Sequence, residues 1–461
     1  MNKRDHQTIE ERTEHGKSLR EQAPRTSHGE WSPAQNRPDP VSLIEEQNED
    51  RLDWLVPVRR WRMSASPFAF FRGSAHVMAA DLASTPASGL EVQLCGDAHL
   101  ANFGLYASPE RQLVFDINDF DETLAGPWEW DIKRLAASFA IAARHNNLNK
   151  KHSEKVTGRV VKTYRKAMAE FAAMRTTEIW YAMLDKDEFH EAADEQGRED
   201  EAKEITKKAQ TRDSRHALDK LAEEIDGKYR IKYDPPGLVP LRELHGALDL
   251  SGRELRALAS KAFETYQHNV ADDCKRLLGQ FRMVDVALKV VGIGSVGTPC
   301  MILLLEGRDH NDPLFLQVKQ ANRSVLEEYL KPSPYRNQGQ RVVEGQRLMQ
   351  AVSDIFLGWN DSEFSDNDFY WRQLRDWKGS VDVEDVSADD LAYLARLCGW
   401  TLARAHARSG DPVAIASYLG SSQSFDEALV AFANTYADQN ERDYEAYMIE
   451  IRSGRLTAVE G

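Results

Sequence analysis

The sequence predicts an α+β protein of two lobes, one mainly helical and the other built on a small antiparallel sheet. Three observations predict it. Stretches such as "WEWDIKRLAASFAIAARHN" and "DDLAYLARLCGWTLARAHARSGD" carry apolar residues at helical spacing. By contrast, "MVDVALKVVGIGSVGTPCMILLLEGRDHNDPLFLQVKQA" reads as three strands joined by a glycine turn and a polar turn. The length, 461 residues, exceeds what one hydrophobic core normally supports.

Residues 1–55 are polar, rich in charge and proline and without sustained periodicity, which predicts a mobile arm. Residues 56–280 open the helical lobe. There "RMSASPFAFFRGSAHVMAADLA" is aromatic and small, "VQLCGDAHLANFGLY" reads as strand, loop, strand, and "QLVFDINDFDE" as a further strand. A helix is expected to start after Pro127, and helix continues through "VVKTYRKAMAEFAAMRTTEIWYAML". Near 185–232 the charge becomes dense, as on a solvated helical insertion. Residues 281–378 form the sheet lobe, completed by "SDIFLGW" and "FYWRQLRDWKG", which lead into a hinge. Residues 379–461 return as helices to finish the first lobe.

Lys and Arg number 59 against 74 Asp and Glu, a net charge of -15, which argues against broad binding of nucleic acid or anionic membranes. No window approaches the roughly 18 apolar residues of a membrane span, and the N-terminus lacks a signal-peptide core, so a cytoplasmic protein is expected. Cys95, Cys274, Cys300 and Cys398 lie far apart and form no CxxC pair. They are expected to be buried free thiols.

The chemistry concentrates in "CGDAHLANFG" and "LVFDINDFDET". Asp97 and Asn102 stand in the D-x-x-x-x-N spacing of protein-kinase catalytic loops, which lets a carboxylate face a hydroxyl while the amide turns to magnesium. Asp119, followed by Phe120, is the expected second magnesium ligand, with Asp116 as its rival at the strand end. Asp121 and Glu122 are expected only to cap turns or pair with Arg, and His99 to support the loop. Unpaired carboxylates are costly to bury, so the cluster calls for a metal, a substrate or a cationic partner nearby.

A nucleotide-binding lobe is expected later in the chain, with Lys319 holding the α/β-phosphates. Gly292, Gly294 and Gly297 have G-x-G-x-x-G spacing between two strands, where glycines let backbone amides approach phosphate oxygens. A Rossmann unit would need a helix next, but "TPCMILLLEG" reads as a strand. Lys319 follows on a strand, and "RSVLEEYL" offers Glu327 or Glu328 on a helix to orient it. The catalytic loop thus precedes the nucleotide lobe, a circular permutation of the usual order, which is admissible because sites are defined by geometry.

"GDAHLANFG" followed by "DFDETLAGPWEWDIKRLA" resembles the pattern of aminoglycoside and choline kinase-like phosphotransferases, with Cys95 where that pattern has His. With "SPFAFFRG", "LFLQVKQA", "GQRLMQAVSDIFLGW" and "YADQNERDYEA", nearly everything after the arm resembles the bacterial family known as domain of unknown function 2252. The first resemblance implies a permuted, two-lobed protein-kinase-like fold. It implies Asp97 as catalytic base, Asn102 and Asp119 as magnesium ligands and Asp131 as a structural anchor. Arg72 is a secondary candidate, and His406 is read as structural.

The expected activity is phosphoryl transfer from ATP with Mg2+ to a hydroxyl of a small-molecule or protein acceptor. Two alternatives stay open, a pseudokinase-like nucleotide-binding module and nucleotidyl transfer by ATP bound in reverse.

Overall fold

Sixteen of the eighteen residues of helix Trp128–His145 are buried, including Glu129, Asp131, Lys133 and Arg134. A helix so enclosed cannot leave its charges unpaired, and this one uses them to hold the chain around it. Helices Lys150–Ala173, Ala388–Ser409 and Ser424–Arg452 pack about it, and the first of them also packs against the other two. They share the main apolar core. The computed structural model describes residues 7–194, 197–244, 252–360, 367–374, 377–380 and 383–461.

The second architectural unit is a six-stranded antiparallel sheet. Its order is Gly358–Trp359, Asp368–Gln373, Pro313–Ala321, Cys300–Glu306, Arg282–Lys289 and Leu238–Pro240. Three of these strands lie where the sequence reads three strands, while Leu238–Pro240 joins the sheet edge from outside the expected 281–378 segment. Along Pro313–Ala321 the side chains alternate between faces. Leu314, Leu316 and Val318 share a core with Phe263 and Tyr266 of helix Gly252–Gln267. On the opposite face Phe315 packs with Leu218 and Leu221 of helix Ser214–Leu221. Gln317 and Lys319 are left facing a cleft.

Across that cleft stand two loops framed by short strands. Glu91–Leu94 pairs with Leu124–Pro127, and Phe103–Ala107 pairs with Leu113–Ile117 and with Gly379–Ser380. The loops at 95–102 and 118–123 therefore emerge side by side.

Two expectations are corrected here. The segment 7–55, read as a mobile arm, is folded onto the body. Helix Ile9–Gln22 lies against helix Pro412–Leu419, with an Arg12 to Asp411 ion pair at 2.5 Å. Arg25 donates to the Leu419 carbonyl at 2.8 Å, and Arg37 bridges Asp81 and Asp443 at 2.7 and 2.6 Å. Its high charge is spent on partners in the body. Residues 1–6 lie outside the described residues.

The helix expected at "RSVLEEYL" is only a 3-10 turn, Val325–Glu328. Pro332 and Pro334 follow at once and cannot donate to a continuing helix, so the helix after the lysine strand is instead Gln338–Met349.

Among the described residues no helix is long and apolar enough to cross a membrane. All four cysteines are buried and unbridged.

Candidate functional site

The loop after Leu94 turns at Gly96, whose φ is +83°. A Cβ there would stand 2.2 Å from the Glu122 carbonyl oxygen, so only glycine lets the two loops approach. One face of helix Trp128–His145 then grips the loop at residues 131, 134 and 138. The Asp131 carboxylate accepts from the N–H of Cys95 at 2.8 Å and of Gly96 at 3.1 Å. Arg134 Nε donates to Asp97 Oδ1 at 2.6 Å, and Ser138 Oγ accepts from the Leu100 N–H at 3.1 Å. His406 lies 3.3 Å from Asp131 and is itself held by Tyr164 at 2.8 Å.

Burial pushes the Asp97 carboxyl above its ordinary range, against the opposing pull of Arg134 and Arg72. His99 is driven well below the ordinary imidazole range by burial and by the same two arginines. It is therefore a neutral ring packed under the loop. Asn102 Nδ2 donates to the Asp97 carbonyl at 2.8 Å, which fixes its amide beside the second loop.

In that second loop the rival carboxylates separate. Asp116, named as a metal ligand, is instead fully buried within strand Leu113–Ile117 and is bound through both oxygens by Arg404 at 2.6 and 2.5 Å. It also accepts from the Ala351 N–H at 2.8 Å and does not line the cleft. The strand's alternation turns it away from the cleft toward Arg404 of helix Ala388–Ser409. Asp119, beyond the strand end, does face the cleft, and its carboxylate accepts from the Asp121 N–H at 3.1 Å.

Lys319 crosses the cleft and forms its ion pair with Asp121. Tyr370 Oη donates to the other Asp121 oxygen at 2.8 Å, and Ser295 Oγ receives Lys319 Nζ at 2.5 Å. Burial alone would raise the Asp121 carboxyl, but Lys319 and Tyr370 outweigh it and hold it low. Asp119 is left raised by burial and by its charged neighbour Asp121. Burial likewise works against the Lys319 ammonium, and the carboxylates overcome it.

The acids expected to orient Lys319 are elsewhere. Glu327 pairs with Arg323 at 3.0 Å and Glu328 with His76 at 3.0 Å, because the short turn that carries them is anchored to Glu122 and does not reach the lysine. Of the three glycines, Gly292 and Gly294 line the cleft, whereas Gly297, at φ +89°, packs on Arg51. The N–H groups of Ser295, Val296 and Thr298 are spent on carbonyls within the loop. The loop's side-chain contact with the Lys319–Asp121 pair is the Ser295 hydroxyl.

Together the loops and the sheet enclose about 970 Å³, lined by Asp97, Asn102, Asp119, Asp121, Lys319 and Arg372 among others. Ten Lys and Arg line it against five Asp and Glu, in a chain whose net charge is -15. That local reversal of sign suits an anionic ligand. Among the described residues no three His, Cys, Asp or Glu side chains group closely enough to hold a metal unaided.

Sequence reasoning had Asp121 cap a turn or pair with Arg, where its cation is Lys319, and missed Arg134, Ser295, Tyr370 and Arg372. Tyr370 and Arg372 alternate on one strand face, so the placement of Lys319 on the neighbouring strand could have revealed both.

Residues 51–450 match the model of a family described as "Uncharacterized protein conserved in bacteria (DUF2252)". No curated protein and no solved structure matches the chain.

Proposed function

The chain belongs to the bacterial family DUF2252, and we propose, from its cleft, that it is an ATP- and Mg2+-dependent phosphotransferase acting on a hydroxyl of a small-molecule or protein acceptor. The scaffold would be a kinase-like one in permuted order. One observation carries the reading: Lys319 and Asp121, brought from opposite walls, meet within a cleft that also holds Asp97, Asn102 and Asp119. Phosphoryl transfer needs mainly positioning and charge neutralisation, which this set can supply.

Lys319 and Arg372 would bind the phosphate oxygens from the sheet side. Asp97, held by Arg134, would accept the proton of the acceptor hydroxyl. Asn102 and Asp119, with Asp121 in the place expected for Asp116, are the hard oxygen donors that suit magnesium. Their small number fits an ion that keeps waters and shares the nucleotide's phosphates. When bound, magnesium neutralises charge on those oxygens. The four free thiols and the absence of bridges accord with a cytoplasmic setting.

A specific observation favours the second reading, a nucleotide-binding module without turnover. Helix Gln338–Met349 directs Arg341 and Gln346 inward, and its Glu344 pairs with Arg347, so among the described residues no glutamate of this helix pairs with Lys319 as in active kinases.

Calorimetry with ATP, with and without magnesium, followed by turnover assays, separates the readings. Binding that strengthens with magnesium, together with turnover lost in Asp97→Asn, supports the enzyme. Binding without turnover supports the module, and absence of binding overturns both. The mass of a labelled product distinguishes phosphoryl from nucleotidyl transfer.

A further inference from the structure

The glycine loop is held from behind by a segment near the start of the chain. Strands Arg282–Lys289 and Cys300–Glu306 are antiparallel neighbours, yet the connection between them, 290–299, is far longer than a usual hairpin loop of about 2–5 residues. Such a loop needs outside support to keep one shape, and its carbonyls receive it in succession. Arg51 Nη1 donates to the Val296 carbonyl at 2.6 Å and to Thr298 Oγ1 at 3.2 Å, while Nη2 donates to the Gly294 carbonyl at 2.9 Å. The next residue's N–H, from Leu52, reaches the Gly297 carbonyl at 2.8 Å. Arg62 holds the Val291 carbonyl at 2.9 Å.

The guanidinium is itself fixed, because Arg51 Nε donates to the Gln47 carbonyl at 3.1 Å. Its stem seats the loop as well: a Cβ on Gly297 would stand 3.0 Å from Arg51 Cβ. Resting on the nucleotide reading above, we propose that Arg51 is a positioning residue that fastens the glycine loop over the cleft, keeping Ser295 beside Lys319 and Asp121 as a preset roof for nucleotide phosphates. The planar fork is what the geometry uses, since two carbonyls and a hydroxyl are met at once. Arg51 also lines the cleft, where Glu122 and Asp121 offset part of the cost of its burial and of the nearby Arg59 charge.

The test uses full-length Arg51→Lys and Arg51→Gln with two readouts, amide hydrogen exchange across 292–298 and MgATP affinity by calorimetry. Both variants are expected to exchange about tenfold faster in the loop and to bind MgATP about tenfold more weakly, the loss of a few charge-assisted hydrogen bonds. Unchanged exchange in helix Trp128–His145 reports that the fold persists. Unaltered loop exchange, full rescue by lysine, or tighter MgATP binding would each overturn the proposal. If the wild type binds no nucleotide, the nucleotide reading falls, and the exchange arm still decides whether Arg51 fastens the loop.

Discussion

Arg134 Nε donates to Asp97 Oδ1 at 2.6 Å, and the carboxyl nevertheless sits above its ordinary range because burial and the nearby Asp121 charge outweigh the guanidinium. A general base must be ionised to act. Turnover is therefore expected to fall as pH drops, with a midpoint above the roughly 4 of an ordinary aspartate. Removing the cation in Arg134→Met should move that midpoint further up. Asp97→Asn should lower kcat by about 10²–10⁴-fold and leave MgATP binding within a few-fold. The pH dependence of kcat/KM checks the first statement and calorimetry the last; undiminished turnover in Asp97→Asn would remove this residue from the chemistry.

Much of this arrangement was legible in the sequence, and the reasons it was not fully so are physical. The Asp97 and Asn102 loop, the glycine turn and the lysine strand are local patterns, and spacing encodes them. Asp116 was expected as a metal ligand and Asp121 to cap a turn or pair with Arg; each takes its role from a partner far along the chain, Arg404 and Lys319 respectively. Strand alternation turned Asp116 toward Arg404, a register that sequence does not fix when both faces of the strand are buried. The N-terminal segment misled for a related reason: a polar, charge-rich segment reads as disorder until the acceptors of its scattered arginines are known.

Asp116 and Arg404 are each 1% exposed at the side chain, so their pair is a structural one. Arg404→Met would strand a buried carboxylate and is expected to cost about 3–5 kcal/mol in chemical denaturation. The double variant Asp116→Leu, Arg404→Met should recover much of that loss, because it strands neither charge. Asp116→Asn should lower stability while leaving the magnesium dependence of nucleotide binding intact. A shifted magnesium dependence in Asp116→Asn would return this residue to the metal site.

His28 gives the folded N-terminal segment a dependence on pH. Tyr418 Oη donates to the Ala23 carbonyl at 2.6 Å, so the hydrogen between His28 and Tyr418, 2.6 Å apart, belongs to His28 Nε2. Nδ1 is then the bare nitrogen, buried and without a hydrogen-bond partner. Protonating it would place an unanswered charge in the core, and burial, followed by the Lys133 charge, lowers the ring to about 3. The unfolded ring titrates near 6.5, so below that pH the unfolded chain gains protons that the folded one refuses. The contribution is present above about 6.5 and is lost as pH falls toward 3; at pH 5 the loss is about 2 kcal/mol. Limited proteolysis within 7–55 is expected to accelerate between pH 7 and pH 5, and His28→Phe should flatten that response. A wild-type cleavage rate that is level across this range would show that the ring does not govern the docking of the segment.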